Sequence, residues 1–236
     1  MKELREALNN FQTIVSKDYY IDNGHGSNDK LELEFKKLAA NFLYGGFINV
    51  NDKFHIYIKT VEFYFHCEQN GMFVYDPIVY HRNNMKRKDN QILPYFPLGS
   101  INMHQSGIDI AFEKKEEYRA SVLARCFEVY DTIENKLYQP EKRSTYIYNS
   151  LQGGATLLDG IKITWKDAPI ESYTLDDVLF IVEKRANVAK FKRDSKDIDW
   201  EKIPVPDTNK KYIQDERMWS FTRKNNLSYD YLQRNK

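Results

Sequence analysis

Between Phe54 and Val129 the chain carries a carboxylate, aromatic and imidazole rings, and a guanidinium. They come in the order Val61-Glu62-Phe63-Tyr64, Asp76, Tyr80-His81-Arg82, Pro97-Leu98-Gly99-Ser100-Ile101-Asn102-Met103-His104 and Val122-Leu123-Ala124-Arg125. These are the parts needed to hold a flat heteroaromatic ring and attack the carbon beside it. Glu62 follows an apolar run, and a carboxylate in such surroundings is costly unless it is paired or catalytic. Two readings stay open. Glu62 forms a buried ion pair with Arg125, or it is an oriented base that activates a water. Arg125 stands in the apolar stretch Ser121-Val122-Leu123-Ala124-Arg125-Cys126-Phe127 and needs a partner in either case.

Strands must deliver these groups. Strict alternation puts Ile56, Ile58, Thr60, Glu62 and Tyr64 on one face and Tyr57, Val61, Phe63 and Phe65 on the other. Upstream, Leu4, Leu8, Phe11 and Val15 fall at helical spacing, as do Leu31, Phe35, Leu38 and Phe42. Ser27 or Asn28 caps the second helix, and Gly45-Gly46 ends it. Phe47-Ile48-Asn49-Val50 and Phe54-His55-Ile56-Tyr57-Ile58 flank Asn51-Asp52-Lys53 as a hairpin. Further strands are expected at Ile101–Phe112, Ala120–Val129, Gly160–Lys166 and Val178–Glu183, and a long loop at Lys192–Lys211. The expected fold is therefore one α+β domain over residues 1–236, with two N-terminal helices packed on a curved, mostly antiparallel sheet.

Composition narrows the class. A hydrophobic content of 42% excludes a disordered chain. No apolar run approaches the ~20 residues that span a bilayer, so no membrane partner is expected. The charged start Met1-Lys2-Glu3-Leu4-Arg5-Glu6 lacks a signal-peptide apolar block, and Cys67 and Cys126 make no disulfide framework. Both features point to a reducing, cytoplasmic setting. Lys and Arg number 35 against 34 acidic residues, so net charge is neutral on the question of a polyanionic partner. Local charge says more. Arg82, Lys86, Arg87 and Lys88 crowd one loop, and Lys184, Arg185, Lys190, Lys192 and Arg193 crowd another. Each is either a solvated loop or a set of phosphate contacts. No metal is expected: His66 and Cys67 point oppositely on a strand, and no His-x-x-x-His or Cys-x-x-Cys spacing occurs. Gly153-Gly154 lacks the Lys-Ser/Thr of a phosphate loop, and no Gly-x-Ser-x-Gly elbow is present.

The order of these pieces resembles the alkyladenine (3-methyladenine) DNA glycosylases of the mammalian type. Ile58-Lys59-Thr60-Val61-Glu62-Phe63-Tyr64 is similar to that family's Glu-x-Tyr strand, Asp76 with His81 to its approach to a pocket histidine, Pro97 to His104 to its Pro-Gly-Thr strand, and Val122-Leu123-Ala124-Arg125 to its Val-Leu-Leu-Arg strand. The likeness is clearest over residues 38–129, and Arg217-Met218-Trp219-Ser220-Phe221 is similar to the family's closing strand.

The resemblance implies a monofunctional N-glycosylase that releases alkylated or otherwise damaged purines from DNA. Glu62 would deprotonate the water that attacks C1′, and Arg125 would hold that water. Tyr64 and His104 would stack on the extruded base, and His81 would close the pocket. Arg82, Lys86, Arg87 and Lys88 would track the nucleic-acid backbone. No metal, cofactor or obligate protein partner is implied. The site motifs hold no lysine placed to form a Schiff base. Where the family carries a tyrosine wedge, this chain reads Gln105-Ser106-Gly107, which favours unpaired over fully paired substrate. Two alternatives stand beside this reading: a hydrolase of free nucleosides or another small glycoside on the same fold, and a non-catalytic nucleic-acid-binding protein with Glu62–Arg125 as a plain ion pair.

Overall fold

Helix α1 (Lys2–Ile14) and helix α2 (Asn28–Tyr44) form where the apolar spacing predicts them. Leu4, Leu8 and Phe11 of α1 and Leu31, Phe35, Leu38 and Phe42 of α2 are buried, each contributing roughly 1.5–3 kcal/mol. The structure is a computed structural model that describes residues 2–15, 28–67, 74, 76, 79, 94–104, 107–141, 160, 162–170, 180–185, 191–192, 212–213, 217–227 and 232.

Past Gly45 the period changes to that of strands. They are β1 (Gly46–Val50), β2 (Phe54–His66), β3 (Ile101–His104), β4 (Gly107–Ala111), β5 (Arg119–Asp131), β6 (Lys136–Glu141), β7 (Ile163–Asp167), β8 (Phe180–Glu183), β9 (Phe191–Lys192), β10 (Tyr212–Ile213) and β11 (Ser220–Arg223). Among the described residues nine strands make one curled antiparallel sheet, and β9 and β10 pair separately. The α+β class with two N-terminal helices against a curved sheet is what the sequence predicts. Asn51 and Asp52 both take positive φ (52° and 54°) in the tight turn joining β1 to β2, a backbone that Asn and Asp tolerate better than other side chains do.

The sheet is organised on a long ribbon of β2 and β5, each 13 residues. Midway, the ladder skips Lys59 on β2 between Ile58↔Phe127 and Thr60↔Cys126, then skips Arg125 on β5 before Val61↔Ala124. Two adjacent bulges thus offset each other, and the register afterwards is the one before. The sheet forks at this point. The early half of β2 pairs with β1, and its late half with β11. In the same way β5 pairs with β4 on one side of the bulges and with β6 on the other.

The bulges also overturn the face assignment expected from strict alternation. Ile56 and Ile58 share the helix-packed core with Val61, Phe63 and Phe65, not with Glu62 and Tyr64. On β5, Ala120, Val122 and Ala124 give way to Phe127 and Val129 on that core face. An extra residue in each strand inverts the in/out parity beyond it. The opposite face, here the distal face, carries His55 and Tyr57 before the bulge and Glu62, Tyr64 and His66 after it. Its first half is covered by a second apolar cluster of Phe47, Tyr57, Tyr130, Leu227 and Leu232.

The segment expected as one strand, Ile101–Phe112, is a hairpin of β3 and β4. Gly107 takes φ +149° there, and a Cβ on it would lie 2.7 Å from Leu123 Cδ1 and 3.0 Å from the Ala124 carbonyl oxygen. Only glycine lets the hairpin come this close to β5. A buried ion pair, Arg119 Nη1 to Glu113 Oε2 at 3.0 Å, fixes the lead into β3, since the same carboxylate oxygen accepts the Phe96 N–H and Arg119 also donates to the Pro94 carbonyl.

Candidate functional site

Glu62 lies at the centre of the distal face, on a row of strand-paired positions running Glu183, Ser220, Glu62, Leu123, Asp109 and Asn102. Its carboxylate is buried and held from two sides. The Tyr64 hydroxyl donates to Oε2 at 2.9 Å, and Arg125 Nε lies 3.6 Å from Oε1. The pair Glu62–Tyr64 follows from i, i+2 spacing on one strand. Arg125 reaches it because it is the extra residue of the β5 bulge, released from the ladder. Its side chain is 23% exposed against 1% for Glu62, so solvent meets the site at the guanidinium. Burial, then the charge of Glu62, holds the Tyr64 phenol well above its usual value of 10, while Arg185 acts the other way. Tyr64 therefore stays protonated and serves as a donor through the physiological range.

Behind Tyr64 stands a group of residues only partly foreseen. The Arg185 guanidinium lies 4.7 Å from the Tyr64 ring centroid and 5.2 Å from that of Trp219. It forks onto Asp76, with Nη1 to Oδ2 at 2.7 Å and Nη2 to Oδ1 at 3.2 Å, and it donates to the Phe63 carbonyl at 3.0 Å. Both side chains are wholly buried. Asp76 Oδ2 also accepts the Phe65 N–H at 3.2 Å, and the Asp76 N–H donates to His66 Nδ1 at 3.2 Å. Arg217 stacks on Trp219 at 4.1 Å and sits 3.6 Å from Asp76 Oδ1, its side chain 14% exposed. For Arg185 both readings of its basic run, solvated loop and phosphate contact, fail, because a buried bidentate pair has withdrawn it from the surface.

Of the residues selected from sequence, the structure brings together Glu62, Tyr64 and Arg125. His104 ends β3 opposite Gly107, two positions on from Asn102, so by register position 104 falls on the face that carries Asn102, Asp109, Leu123 and Glu62. His81 lies outside the described residues, as do Arg82, Lys86, Arg87 and Lys88 and the Gln105-Ser106 segment. The closing segment Arg217–Phe221 is placed beside the site: β11 pairs Ser220 with Glu62, and the Phe63 N–H donates to the Trp219 carbonyl at 2.9 Å. Asp76 and Arg185 are 109 residues apart, and no local pattern could have paired them.

Lys59, on the β2 bulge, has its amine pKa lowered by burial, with Glu128 acting against this. It donates to Asn226. An open cleft of about 430 Å³ between the helices, lined by Glu6, Asn10, Phe11, Glu34, Lys37 and Asn41 among others, lies on the helical side of the sheet, away from Glu62. Among the described residues no group of three or more His, Cys, Asp or Glu could hold a metal, and no helix is long and apolar enough to cross a membrane. No protein-family model, curated protein or solved structure matches the chain.

Chemically, the arrangement offers a fixed carboxylate flanked by a neutral phenol and a part-exposed guanidinium. Such a carboxylate can take a proton from a water and stabilise a cation forming in front of it.

Proposed function

We propose that Glu62, Tyr64 and Arg125 form the reaction centre of a monofunctional, glycosylase-like hydrolase that releases alkylated or otherwise damaged purine bases. The observation that carries the reading is the grip on Glu62: one carboxylate oxygen accepts from Tyr64 at 2.9 Å and the other faces Arg125 at 3.6 Å. Glu62 takes a proton from a water held beside Arg125. The water oxygen bonds to C1′ of the sugar as the C1′–N bond breaks, and the bonding pair leaves with the base. A purine alkylated at ring nitrogen N3 or N7 carries a positive charge before cleavage and departs neutral, so its release needs no separate proton donor. The carboxylate stabilises the oxocarbenium-like cation on the way. DNA carrying damaged purines is the substrate in this reading, with the base extruded or already unpaired.

The burial of Arg185 favours a second reading, in which the same chemistry acts on free nucleosides or another small glycoside. Fewer cations are then available to bind phosphates. Base release from methylated duplex DNA, methylated single strands and free methylated nucleosides, measured side by side with wild type and Glu62→Gln, tests both. Release from the DNA substrates that disappears with Glu62→Gln supports the first reading. Release from nucleosides alone supports the second. Release unaffected by Glu62→Gln ends both.

A further inference from the structure

We propose that Arg185 and Asp76 are positioning residues that set the angle of Tyr64 and, through its hydroxyl, the orientation of the Glu62 carboxylate. The proposal rests on Glu62 being the base of the site.

Geometry leads from one end to the other. Asp76 is pinned by the chain, since its carboxylate accepts the Phe65 N–H and its own N–H donates to His66. The Arg185 guanidinium is planar and forks onto that carboxylate, so two hydrogen bonds fix its plane as well as its position. A third bond, to the Phe63 carbonyl, ties it to the backbone one residue before Tyr64. The guanidinium then lies over the Tyr64 ring at 4.7 Å, and the hydroxyl of that ring holds Glu62 Oε2 at 2.9 Å. A tyrosine on a strand has freedom about its first two side-chain torsions. Here one side of the ring is occupied by a cation that cannot shift without breaking a buried pair.

Burying an ion pair gives little net stability compared with apolar residues of the same volume. The cost is explained if the pair supplies direction: a reacting group misplaced by about 1 Å can cost ~10²-fold in rate. Lysine at position 185 would keep the charge and lose both the fork and the guanidinium's contact with the Tyr64 ring.

The test uses the full chain with ¹³C-labelled tyrosine. The Cζ resonance of Tyr64, assigned by its loss in Tyr64→Phe, should move in Glu62→Gln and move again in Arg185→Lys. With an oligonucleotide carrying one methylated purine, Arg185→Lys should lower kcat by about tenfold or more with little change in KM. Combined with Tyr64→Phe it should cost no more than Tyr64→Phe alone, because both act through one contact. Should Arg185→Lys fail to fold, the charge-balanced Asp76→Asn/Arg185→Gln variant enters the same cycle. A Tyr64 resonance that does not move in the Arg185 variant overturns the proposal, whether or not base is released. So do additive losses of kcat. Undiminished base release by Glu62→Gln instead removes the reaction-centre reading, and this proposal with it.

Discussion

On the distal face, a glutamate on each side of the bulges meets an arginine, and the two pairs differ in closure. Glu128 and Arg223 are almost completely buried, at 1% and 2% side-chain exposure, and Glu128 also accepts the Leu227 N–H at 3.4 Å beneath the C-terminal segment. Glu62 is as deeply buried as Glu128, yet its arginine reaches solvent and stands at 3.6 Å. Residue types are identical. What separates them is the arginine's origin. Arg223 is an in-register strand residue paired with Phe180, whereas Arg125 is the extra residue of a bulge, passed over by the strand register. A closed pair has the character of a fold element. A pair with one open side can admit a water and a substrate.

The largest expected effect tests the closed pair. Arg223→Met leaves Glu128 buried without its ion-pair partner and should cost about 3–5 kcal/mol in denaturant unfolding, whereas Arg125→Met leaves the equally buried Glu62 its Tyr64 donor and a side open to water, and should cost measurably less. Equal losses would erase the contrast. Glu62→Gln comes next. It should lower base release by ~10²-fold, equivalent to about 2.7 kcal/mol, with a melting temperature close to wild type. Glu128→Gln should do the reverse, and a reversed outcome for either would break the comparison.

A third change sharpens it within the open half. Gly107→Ala forces a Cβ against Leu123, which lies between Glu62 and Asp109 on their row, at a φ that L-residues rarely adopt. A loss of roughly 1–3 kcal/mol is expected by thermal unfolding. The smallest effect belongs to the closed half. His55 stacks on Phe47 at 4.1 Å and packs near Tyr130. Burial lowers its pKa from 6.5, with Asp52 acting against the shift and Lys166 with it. The unfolded chain takes up the proton first, so this contribution to stability is complete above pH 6.5 and is lost as pH falls from there toward the folded-state value. In His55→Phe the unfolding free energy should lose that part of its acid dependence, and an unchanged profile would show that His55 is not its source.

The helices, the β1–β2 turn and most of the strands were legible because each rests on local periodicity or turn chemistry. Leu31, Phe35, Leu38 and Phe42 announce α2 unaided. Glu62, Tyr64 and Arg125 were legible as chemistry, since a carboxylate and a guanidinium in apolar strands demand partners. Their geometry was not, because a bulge has no signature in composition. Lys59 and Arg125 read as ordinary strand residues, and alternation therefore placed Glu62 with Ile56 and Ile58. The Asp76–Arg185 pair was invisible for a different reason. It is made by two segments far apart in sequence, and its arginine sits in a charged run that looks like solvated loop.

The paired bulges turn the placement of the site into a matter of counting. Straighten β2 through Lys59 with no residue removed, and every side chain from Glu62 to His66 trades sides, carrying Phe63 and Phe65 among the buried charges of the distal face and the carboxylate against the helices. The extra residue acts in space as a frameshift acts in a reading frame, and the bulge absorbs it. A one-residue deletion at Lys59 takes away the extra residue together with the bulge, so Glu62, Tyr64 and His66 should keep their face, and the deletion variant should retain a cooperative thermal unfolding transition.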